Sequence, residues 1–550
     1  MRRIEGQGDE VAKVAKRLLL WMIYAEKKLT AIQLYHAVFQ GWRHGRQPSE
    51  QQISERLDEM ICSCVGLVQW EQDKTFLSLV NPTTRAYLET YMGLCFPGAH
   101  DEITDMLMTY LISNAFTPKS WNTNDLFRHL KLNPLYGYAA TNWGNHARRC
   151  SSLSKHSIME FLSHTSASPG CAQALLVFHP FTRDSASKKD HVIEITPIHI
   201  SAWFGIEHAL PVLLQDPQRP ISKFIYTPLV LAAMNGHSRI LPILFEHQKN
   251  LEVESDDLGM ALRFAAHYGH ADVVRTLLRA GASPEAQDDN KRTPLILATY
   301  EDQSSIVTLL IEAGANLEAK DESGKTALSI SVLRGHTEIP RILINAGADT
   351  EATDESDQTP LDYANKNRMN VDNLLLLHAH TPASGKKEKY LRDMVRHTMM
   401  TGQHNSLVRL LEAGAPIELA RGDRQGPLQV ASWLGCWECV EILLGYEANI
   451  EAQTNGYSPP IMQALFKDHK PIIQLLLKKG ADIEVLYMSQ TPLLWSVSSG
   501  QRDIAELLLD FGADIGAKYA SGESALERAR RNNDRQMVEL LEYRQIWDQS

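Results

Sequence analysis

Two short runs in this chain have the residue types and spacing of reactive sites. Gly324-Lys325-Thr326 matches the end of a phosphate-binding loop, in which backbone amides and a lysine cradle phosphate oxygens. That loop also needs a glycine five residues before Gly324, and the position holds Ala319. Cys436-Trp437-Glu438-Cys439 has the spacing of a redox dithiol or of half a zinc site. A structural zinc takes four ligands, and no second Cys or His pair completes the set. The chain has no His-Glu-x-x-His, Gly-x-Ser-x-Gly or Gly-x-Gly-x-x-Gly, so metalloprotease, hydrolase and dinucleotide chemistry are not expected.

These runs must be positioned by a repeat of about 33 residues. One recurring apolar position falls at Ile198, Leu229, Leu262, Leu295, Leu328, Leu361, Val395, Leu428, Ile461, Leu493 and Leu526. A fixed period this long means stacked supersecondary units, not one globular core. Thr293-Pro294-Leu295 opens a helix, since the Thr hydroxyl can cap free amides and Pro suits the first turn. Small residues such as Ala265-Ala266 follow and let neighbouring helices approach. A turn such as Gly236-His237, Gly269-His270 or Gly335-His336 leads to a second helix. That helix ends at Gly314-Ala315, where Gly can take the left-handed conformation that terminates it.

In this register Gly324-Lys325-Thr326 is a hairpin-to-helix turn, and Cys439 takes the buried position that Ile339 holds in another copy. No nucleotide, metal, redox role or cofactor is therefore expected. The elements resemble the ankyrin repeat over roughly residues 191–545, with about 11 copies, those at Ile198 and Val395 being degenerate. Residues 378–389 replace a normal hairpin and are expected to form a flexible tip.

At 550 residues the chain exceeds what one core supports, so two or more units are expected. With 44% hydrophobic and 22% charged residues, long disordered segments are not expected. A net charge of -11 disfavours general nucleic-acid binding. Seven cysteines in this length make no disulfide framework and suggest a reducing compartment. The apolar stretch at residues 18–25 falls far short of the ~20 residues of a membrane span, and no cleavage pattern follows it. A soluble, cytoplasmic or nuclear protein is the expectation.

The ankyrin resemblance implies a concave face lined by first helices, with hairpin tips beyond it. The residue five after each alignment position is expected to face that groove: Trp203, Met234, His267, Tyr300, Leu333, Lys366, Met400, Trp433, Phe466, Ser498 and Arg531. Eight of these (all but Lys366, Ser498 and Arg531) are aromatic, Met, Leu or His, where a solvated face should be mostly polar; since Trp, Tyr and Met are enriched at interface centres, the eight are candidates for binding a protein partner. Packing between repeats is the competing explanation, and Trp203 could instead seal the array onto the preceding domain. At the tips, Asp288-Asp289, Asp321-Glu322 and Asp354-Glu355 recur at one position, with Glu285, Glu318 and Glu351 nearby. They could steer a basic partner, or serve only as turn residues. Later tips carry Tyr457, Tyr487-Met488 and Tyr519.

The first 150 residues show no repeat. The pattern predicts helices over residues 11–25, 30–39 and 49–62, capped at Thr30 and Ser49, then strands at 66–70 and 75–80 and a further helix from Asn81. Three helices and a hairpin make a winged-helix pattern. Its third helix carries Glu50, Glu55, Asp58 and Glu59 against Arg56, whereas a phosphate-facing helix should be basic, so DNA binding is not expected.

Three stretches carry a further resemblance. They are Leu20-Trp21-Met22-Ile23-Tyr24-Ala25-Glu26-Lys27-Lys28-Leu29-Thr30, Leu79-Val80-Asn81-Pro82-Thr83-Thr84-Arg85-Ala86-Tyr87-Leu88, and Asn133-Pro134-Leu135-Tyr136-Gly137-Tyr138-Ala139-Ala140-Thr141-Asn142-Trp143-Gly144-Asn145-His146-Ala147-Arg148. They resemble the segment after the nucleoside-triphosphatase core of fungal NACHT–ankyrin proteins, relatives of NOD-like receptors: a winged helix and a helical connector. The phosphate-binding loop and acidic metal strand of that core have no counterpart here, so no ATP-binding residue carries over.

The chain is therefore expected to be mainly α: a winged-helix-like domain (1–92), a helical connector (93–190), an ankyrin array (191–545) and a short tail (546–550). The expected function is a non-enzymatic protein-interaction scaffold or adaptor, in fungal non-self recognition if the resemblance holds. A transcription-linked regulator using the winged helix, and a NACHT receptor whose front end is missing from the gene model, are the alternatives. Protein partners are expected, with no membrane, no small-molecule substrate and no nucleic acid.

Overall fold

The computed structural model describes the chain except residues 1, 40–49, 74, 97, 116–122, 151–154, 165–166, 179–194, 216–225, 248–254, 368–370, 382–384, 419–424, 454–456 and 548–550. It forms two compact units, Met1–Asn316 and Leu317–Ser550, the division falling inside the repeat array.

The first unit begins with a short helix, Arg2–Glu5, followed by helices Asp9–Tyr24, Ala31–Val38 and Glu50–Ser63, then antiparallel strands Val68–Trp70 and Leu77–Leu79, then helix Pro82–Cys95. The strands pair Val68 with Leu79 and Trp70 with Leu77. Thr30 caps its helix through a reciprocal box with Gln33. The Ser49 cap lies outside the described residues. Leu18, Leu19, Leu20 and Trp21 are fully buried, as are Met60 and Leu107 on two of the helices that pack against theirs.

Helices Ala99–Ser113 and Tyr136–Ala147 pack on each other, and Ala167–Phe178 closes over the second. Trp143 meets Phe161 edge-on at 4.7 Å and Phe204 of the first repeat at 5.4 Å. Gly144 makes that approach possible. A Cβ there would lie 2.1 Å from Cγ of Phe204, closer than any carbon contact allows. So the connector helix docks directly on the first repeat helix, Pro197–Phe204.

Four helix pairs follow in this unit: Pro197–Phe204 with Leu210–Leu214, Pro228–Met234 with Leu241–Glu246, Ser255–Tyr268 with Ala271–Arg279, and Pro294–Tyr300 with Ser304–Glu312. Seven more form the second unit, from Ala327–Arg334 with Ile339–Asn345 to Ala525–Arg531 with Arg535–Trp547. Thr293, Thr326, Thr359, Thr491 and Ser524 each accept the backbone amide three residues on, capping the first helices. Thr326 in that role settles the Gly324-Lys325-Thr326 run as a turn. The recurring apolar positions are buried from Leu229 to Leu493, whereas Ile198 and Leu526 at the ends are half-buried.

Most of residues 378–389 are helical and not the expected flexible tip. Helix Val371–His380 and helix Gly385–Thr401 run through most of them, with 382–384 outside the described residues. The sequence explains this, because 386–396 holds no Gly, Pro or Asn to stop a helix. Glu388 pairs with Arg392 one turn on at 3.0 Å, and the Tyr390 hydroxyl donates to Asp362.

Repeats are stitched along the hairpin edge by carboxylates. Glu285 accepts the amide of Asn316 at 2.8 Å in the first unit. In the second, Glu318 accepts from Asp349, Glu418 from Asn449, Glu451 from Asp482 and Glu484 from Asp514, at 2.7–2.8 Å. A second ladder joins the turns. His237 and His270 bond the carbonyls of Trp203 and Met234 at 2.9 and 3.0 Å, and His469 and Gln501 those of Trp433 and Leu465 at 3.2 and 2.9 Å.

Candidate binding surface

The eight predicted groove residues do not share one environment. In the first unit Trp203 and Met234 are buried, and His267 and Tyr300 are half-buried. Helix Pro197–Phe204 is flanked by Tyr136–Ala147 and Pro228–Met234, and the long helix Ser255–Tyr268 packs along Pro228–Met234. Trp203 and Met234 are therefore packing residues, which corrects the expectation that they face a groove. The neighbour of Trp203, Phe204, meets Trp143 edge-on. His267 Nδ1 lies 3.6 Å from Glu301, and burial, the larger influence, keeps its imidazole pKa below the ordinary value.

In the second unit the same register is exposed. Leu333 is 42% accessible, Met400 63% and Trp433 39%, while Phe466 is half-buried. The Phe466 ring lies 4.8 Å from Trp495 and 5.7 Å from Tyr487, and Lys467 sits over Trp433 at 4.1 Å. Leu486 and Met488 beside Tyr487 are 64% and 72% exposed. The result is an apolar, aromatic patch carried by the C-terminal repeats.

The tips also divide. Asp321 and Asp354 are buried, and Asp288 is half-buried. Each folds back on its own turn: Asp321 accepts the amides of Ser323 and Lys325, both at 2.9 Å, and Asp354 those of Ser356 and Gln358. Asp288 does the same for Asn290 and Arg292. All three serve as turn residues, the alternative weighed for them, and the buried Asp321 and Asp354 are not available to a partner. Asp289, Glu322 and Glu355 remain exposed. Tyr519 is buried as well, its hydroxyl shared by Ser498 and the Leu494 carbonyl, with Arg528 over its ring. Tyr457 and Tyr487 are half-buried.

A cleft in the first unit is lined by Arg148, Arg149, Lys155, His208, His237 and Arg239. Two of its basic groups are already engaged: Arg148 donates to His237 Nδ1 at 3.0 Å and Arg149 pairs with Glu26. Burial, and then Arg148, push the His237 pKa down to about 4, which suits an imidazole accepting on one side and donating to Trp203 on the other.

The second unit also gathers side chains that the sequence reading kept apart. His404, Cys436 and Cys439 bring their ligand atoms within 4.8 Å of one another, and the two cysteines are joined as a disulfide. No second Cys or His pair was expected to complete a site, and the structure adds a single histidine, His404, to the two cysteines. The signal was the period itself: His404 lies about one repeat before the cysteines, and residues one repeat apart stack.

Helix pairs joined by capped turns and stitched edge to edge define a helical repeat scaffold, a class of protein that presents surface. A family model described as ankyrin repeats (three copies) matches residues 198–288, 254–321, 303–384, 395–487 and 461–548. These matches span more than half of the sequence, and the chain belongs to the ankyrin-repeat family. No curated protein matches the sequence. Ankyrin repeats point to protein–protein interaction and are typically non-enzymatic. Among the described residues, no helix is long and apolar enough to cross a membrane.

Proposed function

We propose that the chain is a non-enzymatic interaction scaffold whose protein partner rests on the first-helix face of Leu317–Ser550, centred on Trp433 and Phe466. The observation that carries this reading is the exposure of Met400, Trp433, Leu486 and Met488 around half-buried Phe466, Tyr487 and Trp495, since large apolar side chains left in contact with water are costly unless a partner covers them. Leu333 extends the patch, and Lys467 over Trp433 suits a partner with an acidic group beside its apolar anchor. Glu322, Glu355 and Tyr457 at the tips are weaker contacts.

The finer reading rests on the residue resemblance described above. In it, residues 1–92 act as a winged helix, 93–190 as a connector and 191–545 as the recognition array of an intracellular protein in fungal non-self signalling. The order of three helices followed by a two-stranded hairpin supports it.

Partner capture from native extract tests the patch, using the full chain and its Trp433→Ala/Phe466→Ala variant as baits, once circular dichroism shows equal helix content. Partners held by the intact chain and lost by the folded variant are expected. The same partners on both baits would remove the patch from consideration.

A further inference from the structure

The turn before helix Trp437–Gly445 departs from its counterparts. In four other repeats this position holds His237, His270, His469 or Gln501, each bonded to a carbonyl of the preceding repeat. Cys436 is too short for that reach, and it bonds to Cys439 instead. The two Cα atoms are 5.3 Å apart, a span that a disulfide bridges without moving the backbone. A bond across so short a loop removes little chain entropy, so stabilisation is a poor reason for it.

The local chemistry is that of an exchange site. Cys436 is the N-cap of a nine-residue helix, and its sulfur accepts the amide of Cys439 at 3.3 Å. Both features favour a thiolate. Half-buried Cys436 borders Trp433, Leu434 and Trp437, which are 39–42% exposed, so a reagent can approach from solvent. Cys439 is fully buried. His404 Nδ1 lies 3.6 Å from Cys439 Sγ and 3.9 Å from Cys436 Sγ.

We propose that Cys436, Cys439 and His404 form a dithiol–disulfide exchange site for a low-molecular-weight disulfide. The Cys436 thiolate attacks one sulfur of the external disulfide; that bond breaks, and the departing thiolate takes a proton from water. Cys439 gives its proton to His404 Nδ1 and attacks the Cys436 sulfur. The mixed disulfide breaks, and the second departing thiolate takes up the proton. The two protein thiols lose two electrons, and the external disulfide gains them as two thiols.

The test treats the reduced full chain with oxidised glutathione, quenches with maleimide and maps every cysteine by peptide mass spectrometry. The wild type is expected to join Cys436 to Cys439 with no retained glutathione. Cys439→Ser should hold glutathione on Cys436, formed on the order of tenfold faster than on exposed Cys62. Cys439→Ala replaces it if the serine variant misfolds. Cys436→Ser should leave Cys439 unmodified, and His404→Ala should accumulate mixed disulfide on Cys436 while Cys439 stays a thiol. Modification of Cys436 no faster than of Cys62 would overturn the proposal. So would stoichiometric uptake of Zn2+ alone by the reduced chain with loss of reactivity, which would make the cluster a metal site.

Discussion

The carboxylate of Asp354 accepts two backbone amides of its own turn and the Tyr363 hydroxyl, with Lys325 at 3.9 Å. Burial opposes its charge, yet these donors hold its pKa below the usual carboxylate range. The residue type announced a turn; the direction of the carboxylate, which decides between turn and partner, is not written in a sequence. Gly314 was legible outright, as the glycine after a helix. Its φ is +81°, and a Cβ there would meet nothing within 4 Å, so only backbone strain opposes substitution. Gly314→Val should therefore cost ~1–2 kcal/mol. An unchanged urea midpoint would show that the turn tolerates a branched side chain.

Between helices, the decisive contacts come from pairs distant in sequence. Gly144→Ala would drive a methyl into Phe204, and should destabilise the docking of the connector on the first repeat by about 1–3 kcal/mol. A melting temperature equal to that of the intact chain would mean that the connector helix can shift away freely. Glu451→Ala removes an exposed or half-exposed rung between adjacent repeats, with an expected loss of about 0.5–1.5 kcal/mol. Faster hydrogen exchange at the Asp482 amide reads that loss directly, and unchanged exchange would refute it. Helix boundaries in the first 95 residues followed from capping and periodicity. The helix at 385–401 did not, because the repeat template points to a flexible tip at 378–389 where the local residues favour helix.

Across the first unit, acid sensitivity follows from imidazoles buried in neutral form. His146 is fully buried among His100, Tyr138 and nearby Arg149, and burial is the largest of the influences that lower its pKa to about 3. His199 is 4% exposed, bonded to Thr196 at 2.7 Å, and burial lowers its pKa to about 4. The unfolded chain, with imidazoles near pH 6.5, then binds more protons than the folded one as pH falls below that value. Stability is full above pH 6.5 and declines toward pH 4, by up to about 2 kcal/mol per imidazole between pH 7 and 5. Urea titrations at those two pH values measure it; a midpoint that holds steady would mean that both rings protonate inside the fold. The array itself was readable from its period alone. The exposure of its first-helix face was not, since it depends on the length of Ser255–Tyr268 and on what the connector covers.

The turn ladder that joins neighbouring repeats lacks a rung where Cys436 stands in place of a reaching His or Gln. Gly402 accordingly has no side chain against it, whereas Gly435 is closed over by the ring of His469. In a nearest-neighbour stack, tension is borne by every seam equally and released at the weakest. Pulled from the ends of the second unit, the chain should tear at this seam before any other, so that Gly385–Glu412 and Pro427–Gly445 part as blocks. Single-molecule pulling should record a first rupture that Cys436→His moves to higher force; the same first rupture in both would place the weak seam elsewhere.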